Sequence, residues 1–203
     1  MHSTDWLGYP KSMSMNLLHK WCCRSAGWSV FSRRVLLPWA LGDADLGRST
    51  VEIGPGFGAN TDYLNERAGS VTAVEIDPDY ADHLRKRFAS TGGVRVIEGD
   101  GTDTGLASRG FSSVVSMAML HHVPTPALQD ALFAEAFRVL EPGGVFVGGD
   151  GSPTLPFAAM HIGDTYNPMP PATLPDRLSE AGFTDVSVDT TPGALRFSAR
   201  VPS

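Results

Sequence analysis

Three glycines stand at alternate positions directly after a short apolar run, in the stretch VEIGPGFGAN. Glycine inside a strand or helix costs roughly 0.5–1 kcal/mol relative to alanine. The spacing of Gly54, Gly56 and Gly58 therefore indicates either a tight turn or a backbone that a ligand approaches closely. Gly54-x-Gly56-x-x-Ala59 also satisfies the dinucleotide fingerprint, which permits alanine at its third position.

An acidic residue, Glu75, ends the next apolar run, VTAVEI. A carboxylate at that place can accept hydrogen bonds from both hydroxyls of a ribose. Together with the glycine loop, it predicts a nucleoside-containing ligand. A tight turn with a solvent-facing Glu75 is the alternative.

The elements around these residues alternate between apolar runs and helical patterns. The predicted strands are residues 49–54, 71–76, 94–98, 111–119, 145–149, 184–190 and 194–200, with helices at 60–68, after Asp77-Pro78, after Thr125-Pro126 and near 174–181. This alternation with buried strands is typical of a parallel sheet covered on both faces. The turn residues Pro192-Gly193 join the last two strands so tightly that they must pair antiparallel. The prediction is an α/β fold with a seven-stranded, mostly parallel sheet, helices on both faces and a C-terminal antiparallel β-hairpin.

Before the sheet, helical patterns run from Met13 to Leu41, with an expected break at Gly27 and a kink at Pro38. We therefore divide the chain into an N-terminal helical cap, 1–45, and a ligand-binding core, 46–203. Pro142-Gly143-Gly144 is expected to end the helix before the fifth strand.

Residues 150–172 contain five prolines interleaved with apolar side chains, so no regular element is expected there. The segment leaves the C-terminal end of the fifth strand, where ligands of open α/β sheets bind. A substrate-contacting cover is favoured over a simple packed connection, with Phe157, Met160 and Tyr166 as candidate contacts. We expect this segment and the helices at 13–41 to meet above the ligand. The alternative is that those helices only pack on the outer face of the sheet.

The overall composition excludes several classes of protein. The 203 residues are 42% hydrophobic with a net charge of −6, which is too apolar for disorder and lacks the basic face typical of nucleic-acid binding. No apolar stretch approaches the roughly 20 residues that span a bilayer, and no signal-peptide centre opens the chain. We expect a cytoplasmic monomer or homodimer without a nucleic-acid partner. The adjacent Cys22 and Cys23 form a poor disulfide pair and are expected to be buried, and no Cys/His spacing of zinc type occurs, so no metal is expected.

Nicotinamide-dependent oxidoreductases and S-adenosylmethionine-dependent methyltransferases both use such a glycine loop with a following acidic residue. The third glycine keeps the loop open to a bulky methionine group, and the C-terminal hairpin also favours the methyltransferases. In addition, no Tyr-x-x-x-Lys follows any tyrosine, so the catalytic pair of short-chain dehydrogenases is missing.

Five motifs occur in the order and spacing of class I S-adenosylmethionine-dependent methyltransferases: VEIGPGFG, VTAVEID, VIEGDGTD, MLHHV and RVLEPGG. Over residues 49–150, and over the LSEAGF-plus-hairpin ending at 178–200, the chain resembles the small-molecule branch of that family. It departs from the family where Ser112 and Ser113 follow Phe111 in place of an aspartate. The resemblance implies a Rossmann-like fold, S-adenosylmethionine as cofactor and S-adenosylhomocysteine as product.

The resemblance also assigns roles around the cofactor. Glu52, Gly54, Gly56 and Gly58 lie at the methionine portion, Glu75 at the ribose, Ile76, Asp100 and Gly101 at the adenine, and Met117 and Ala118 beside the sulfonium.

Methyl transfer from a sulfonium needs mainly proximity and alignment, with a general base only when the nucleophile must lose a proton. His121 and His122, just past the fourth strand, are candidates for that base. No [DN]PP[YF] motif follows that strand, which argues against a nucleic-acid base as acceptor. The predicted function is methyl transfer to a small, partly apolar molecule at O, N or C. The alternatives are a nicotinamide-dependent oxidoreductase and a non-catalytic S-adenosylmethionine-binding module.

Overall fold

The computed structural model describes residues 16–203. The strands are β1 (Thr50–Ile53), β2 (Val71–Glu75), β3 (Val94–Glu98), β4 (Phe111–Met117), β5 (Leu140–Gly151), β6 (Thr184–Thr191) and β7 (Ala194–Arg200). The helices are α1 (Leu17–Arg24), α2 (Ala26–Phe31), α3 (Leu37–Leu41), α4 (Thr61–Arg67), α5 (Pro78–Arg87), α6 (Pro126–Val139), α7 (Leu155–Met160) and α8 (Leu174–Glu180).

All seven strands form one sheet in the order β3-β2-β1-β4-β5-β7-β6. The first five strands pair parallel, and β7 pairs antiparallel with both β5 and β6. The predicted fold class is therefore confirmed, including the C-terminal hairpin. Strand order reverses between β1 and β4, and in open α/β sheets ligands bind outside the carboxyl ends of the strands at such a switch point.

Two apolar clusters cover the sheet. One joins Val51 and Val114 to Phe133 of α6 and Leu178 of α8, and the other joins α3 and α4 to β2, β4 and β5. Both β1 and β2 are buried along their whole length, as is typical of parallel strands covered on two faces. The sheet is thus a rigid base from which the loops at its carboxyl edge project.

Capping side chains begin the helices that follow the strands. Asp77 accepts hydrogen bonds from the backbone N–H groups of Asp79 and Tyr80, and the Thr125 side chain accepts one from Leu128. Each cap is followed by proline in the first helical turn. Proline is tolerated there because a backbone N–H at that position has no partner within the helix. These two helix starts lie where the sequence predicted them.

The N-terminal helices break at Ser25 and not at Gly27. The Ser25 hydroxyl accepts a hydrogen bond from the Trp28 N–H at 3.0 Å and so begins a new helix one residue after α1 ends. A π-helical turn, Ser32–Leu36, precedes the expected kink at Pro38. The predicted start at Met13 lies outside the described residues.

Two other boundaries differ from the sequence prediction. Helix α6 ends at Val139 and β5 begins at once, because Pro142-Gly143-Gly144 forms an irregularity inside a longer strand: Phe111 pairs with Leu140, and Ser113 then pairs with Val145. A short helix, α7, lies in the segment 150–172, where none was expected. Thr154 caps it by accepting from the Phe157 N–H. No helix among residues 16–203 has the length and apolar character needed to cross a membrane.

Candidate functional site

Two glycines of the loop after β1, Gly54 and Gly56, lie at the edge of a cleft. Gly54 and Gly56 have φ angles of +70° and +55°, a region that favours glycine. A Cβ on Gly54 would lie 2.2 Å from Met119 Cγ, whereas a Cβ on Gly56 would meet nothing within 4 Å. Gly54 therefore allows the loop to pack on the end of β4, and Gly56 exposes backbone to open space where a ligand fits.

Gly58 and Glu52 are not brought to the cleft wall. A Cβ on Gly58 would lie within 3.0 Å of Leu84, Arg87 and Phe88, so this glycine serves the packing of the loop against the region of α5. Glu52 is buried beneath the loop, where its Oε2 accepts a hydrogen bond from the Thr61 hydroxyl at 2.6 Å. Its Oε1 has no partner among the described residues, and burial raises the pKa of Glu52 to about 7.

Glu75 lies at the carboxyl end of β2 and lines the cleft. Its Oε2 accepts from the Gly56 N–H at 3.0 Å and its Oε1 from the Asp77 N–H at 2.9 Å. Burial raises the pKa of this carboxyl to about 7, although the two backbone donors lower it. Because a carboxylate offers about four lone-pair sites, capacity remains for hydroxyl donors of a ligand.

The loops after β3 and β4 form the opposite walls. Asp100 Oδ1 accepts from the Thr102 N–H at 2.8 Å and the Thr102 hydroxyl at 2.9 Å, which fixes the carboxyl at the cleft edge. A Cβ on Gly101 would lie 2.6 Å from Ile53 Cγ2, so the backbone there needs glycine to pack on β1. Ala118 has a φ of +51°, an uncommon conformation for alanine that is found at ligand sites.

One continuous cleft joins these loops across the switch point of the sheet. The predicted cofactor residues on its wall are Gly54, Gly56, Glu75, Ile76, Asp100, Gly101, Met117 and Ala118. Residues to which no sequence motif assigned a cofactor role also line it: Cys22, Cys23, Trp28, Ser32 and Leu36 of the N-terminal helical region, with Phe57 and Tyr80. The two cysteines are half-buried at this wall and not fully buried as expected.

The N-terminal helices and the segment 150–172 meet at the cleft. The Asn16 side chain donates to the carbonyl oxygen of Met160 at 2.9 Å, and His19 Nδ1 lies 2.8 Å from Asp164 Oδ2. Phe157 and Met160 line the cleft. Tyr166 does not line it; its ring stacks on His161 with centroids 5.0 Å apart, and its hydroxyl has no partner among the described residues.

The N-terminal region lines the cleft from His19 on α1 to Leu36, at the end of the π-helical turn. Helix α3 packs on the sheet instead, with Leu37, Ala40 and Leu41 buried in the second apolar cluster. The sequence left two alternatives for these helices: a position above the ligand, or packing on the outer face of the sheet. Each applies to a different part of the N-terminal region.

His121 is held by a buried carboxylate. Its backbone N–H donates to Asp150 Oδ2 at 3.0 Å, and its Nδ1 contacts Asp150 Oδ1. Its Nε2 is buried without a partner among the described residues, and the residue lines the cleft. The signal for Asp150 in the sequence was only its place near the end of β5.

His122 has different surroundings. Its Nδ1 lies 3.2 Å from the Thr165 carbonyl oxygen. Burial, followed by the neighbouring His121 and His19, lowers the pKa of His122 to about 2. This imidazole is therefore neutral at ordinary pH and a poor proton acceptor, so the two sequence candidates for a general base are not equivalent.

Comparison with known proteins places this geometry in a family context. Residues 51–148 match the family model described as a methyltransferase domain. The chain is 48% identical over 67 residues to ribosomal RNA small subunit methyltransferase A of Geobacter sulfurreducens, a match that covers 33% of this chain and 24% of that protein. It is 28% identical over 109 residues to fatty-acid O-methyltransferase of Mycolicibacterium smegmatis, covering 53% of this chain and 38% of that one. The matches thus span well under half of each relative.

Among solved structures, phosphoethanolamine N-methyltransferase 2 of Haemonchus contortus, in complex with phosphomonomethylethanolamine and S-adenosylhomocysteine, is similar with a TM-score of 0.74. The identity is 16%, and the match covers 92% of this chain and 57% of that chain. At this identity the likeness shows the fold. It confirms the Rossmann-like architecture expected from the motifs.

Proposed function

This chain contains a methyltransferase domain of the class I fold, and on that premise we propose that it binds S-adenosylmethionine in the cleft and transfers its methyl group to a small, partly apolar acceptor. The observation that carries the proposal is the continuous cleft from the Gly54–Gly56 loop, past Glu75, to Asp100 and Gly101. Each wall offers the group that one part of the cofactor needs.

Along the cleft, successive wall residues match successive parts of the cofactor. The backbone at Gly56 is open to the methionine portion, Glu75 retains acceptor capacity for two ribose hydroxyls, and Asp100 lies where an adenine amine can donate. Glu75 is buried, so a ligand that supplies hydroxyl donors to its remaining lone pairs is favoured over one that does not. Met117 and Ala118, at the end of β4, then lie beside the reactive sulfonium.

The acceptor is proposed to enter between α1 and the segment 150–172. The apolar side chains of Trp28, Phe157 and Met160 on this side of the cleft favour a partly apolar molecule. The net charge of −6 disfavours a polyanionic nucleic acid, although some relatives act on ribosomal RNA. A cytoplasmic location and a monomeric or homodimeric state stay predictions.

For an acceptor that must lose a proton, the geometry favours His121 as the general base. Asp150 holds its Nδ1 and so leaves Nε2 as the proton-accepting atom, the arrangement by which a carboxylate orients a catalytic imidazole. The proton would pass from the acceptor to Nε2 as the acceptor atom takes the methyl group from sulfur. His122 is proposed to play no such part.

Calorimetry with S-adenosylhomocysteine and with NAD tests the proposal. We expect low-micromolar or tighter binding of S-adenosylhomocysteine, about −8 kcal/mol, and no saturable binding of NAD. Tighter binding of NAD would favour the oxidoreductase alternative and contradict the proposal. Cofactor binding without methyl transfer to any of a panel of small hydroxyl and amine acceptors, or to RNA, would favour the non-catalytic binding module.

A further inference from the structure

Three histidines from separate segments converge beside the cleft. His19 lies on α1, His122 follows β4, and His161 follows α7. One ring nitrogen of each lies within 4.8 Å of the other two. A fourth histidine, His121, packs against the group with its ring centroid 4.1 Å from that of His122, but it is not part of the convergent set.

The remaining ring nitrogen of each of these three histidines is already occupied. His161 Nδ1 lies 2.7 Å from the Phe157 carbonyl oxygen, and His122 Nδ1 lies 3.2 Å from that of Thr165. A carbonyl oxygen only accepts hydrogen bonds, so both Nδ1 atoms carry the proton and both Nε2 atoms carry a lone pair. His19 Nδ1 is bonded in the same way to the Asp164 carboxylate at 2.8 Å.

With each Nδ1 already hydrogen-bonded, we infer that the three Nε2 atoms are the nitrogens available to a shared ligand. His161 is only 2% exposed, and its Nε2 has no hydrogen-bond partner among the described residues. Buried polar atoms are normally paired, and an exception calls for an explanation such as an ion. A cation bound by the three Nε2 atoms would satisfy all of them at once.

We propose that His19, His122 and His161 form a binding site for a divalent transition metal of the zinc type. Three neutral imidazoles suit Zn²⁺, and sites of this kind keep a fourth position open. Zn–N bonds of about 2.0–2.1 Å with tetrahedral angles place the nitrogens about 3.3 Å apart, so metal binding would draw them together from separations that now reach at most 4.8 Å.

The groups that hydrogen-bond the three histidines are of the kind found around metal-ligating histidines. Ligating histidines usually donate their other N–H to a carboxylate or a backbone carbonyl, which fixes the tautomer and orients the ring. Here Asp164 plays this part for His19, and backbone carbonyls play it for His122 and His161. Asp164 also accepts from the Asn16 backbone N–H, which ties the metal site to the contact between α1 and segment 150–172.

His19 and His122 line the cleft, so the proposed metal would lie at the cleft wall. Metal binding itself does not depend on the proposed function. A further role, in which the metal would bind an oxygen atom of the acceptor, does rest on the proposed function. The sequence expectation of no metal came from spacing within short segments, which cannot show ligands that only the fold brings together.

The test is Zn²⁺ binding to the metal-stripped chain without cofactor, measured by calorimetry and by metal content after dialysis. We expect one Zn²⁺ per chain. His161→Ala and His122→Ala should each weaken binding by at least about 100-fold. Asp164→Asn, which changes the hydrogen-bond partner of His19 and not a ligand itself, should weaken it by about 10–100-fold. His83→Ala is the matched control, because this exposed histidine on α5 is not part of the cluster, and it should leave the affinity unchanged.

X-ray absorption of the Zn²⁺-loaded wild-type chain keeps the test independent of variant folding. Three imidazole nitrogens at about 2.0–2.1 Å support the site. No stoichiometric Zn²⁺ binding, fewer than three imidazoles, or wild-type affinity in a folded His161→Ala variant overturns it. Calorimetry with S-adenosylhomocysteine on the same sample separates this result from the proposed function, since either can fail while the other stands.

Discussion

Replacing Glu75 by glutamine is expected to weaken S-adenosylhomocysteine binding and to remove its dependence on pH. The carboxylate already accepts from the Gly56 and Asp77 N–H groups, and its remaining lone pairs are those proposed for the ribose hydroxyls. Glutamine offers one acceptor oxygen and turns an N–H₂ group toward one of these donors. Hydrogen bonds to a charged group contribute about 1.5–3 kcal/mol, which corresponds to a loss of roughly 10- to 100-fold in affinity.

The pH dependence follows from the raised pKa. Burial places the pKa of Glu75 near 7 in the free protein, and hydroxyl donors favour the ionised form, so ligand binding lowers this pKa and releases a proton at acid pH. Affinity should therefore rise as the pH increases from about 5.5 and level off above about 7. The Glu75→Gln variant should show no such rise.

Calorimetry at several pH values, in buffers of different ionisation enthalpy, measures both the affinity and the released proton. The matched control is Glu98→Gln. Glu98 ends the neighbouring strand β3, is half exposed, and has its carboxylate 3.6 Å from Arg85. It should behave as the wild type. Unchanged affinity in Glu75→Gln, or a rise with pH that persists in it, would refute the ribose assignment.

Three other changes test separate parts of the site. His121→Ala should lower the turnover of a proton-losing acceptor by about 10²–10⁴-fold with S-adenosylhomocysteine affinity nearly unchanged; equal losses in both would indicate a structural role. Glu52→Gln should raise the thermal unfolding temperature at pH 8 relative to the wild type but not at pH 5. The raised pKa of Glu52 means that its favourable contribution is present below about pH 4.5 and is lost as the pH rises through about 7; equal shifts at both pH values would contradict this. Gly58→Ala should destabilise the fold by about 1 kcal/mol or more, because its φ is +77° and a Cβ meets α5 and Phe88, while the folded fraction binds S-adenosylhomocysteine normally; a specific loss of affinity would place Gly58 at the ligand.

The sheet and most of the cleft could be predicted because their causes are local. Cap residues such as Asp77 and Thr125, apolar runs and the turn before β7 act within a few residues of where they stand. The fold then brings the carboxyl ends of parallel strands to one edge, so Glu75 and Asp100 meet the glycine loop without further information.

The remaining features depend on contacts between distant segments. Nothing around Gly58 in the sequence shows that α5 will lie against it, and nothing around His161 shows that His19 will. The extension of β5 depends on its register with β4, which absorbs Pro142 and the two glycines that follow it. Sequence spacing alone could therefore identify the cofactor wall of the cleft but not the histidine cluster on its acceptor side.

A crystal structure of the chain with S-adenosylhomocysteine tests the assignment of the cleft most directly. We expect both ribose hydroxyl oxygens within hydrogen-bond distance of the Glu75 carboxylate, the adenine amine at Asp100, and the sulfur beside Met117 and Ala118. Electron density for the ligand outside this cleft, or in it with the ribose turned away from Glu75, would contradict the assignment.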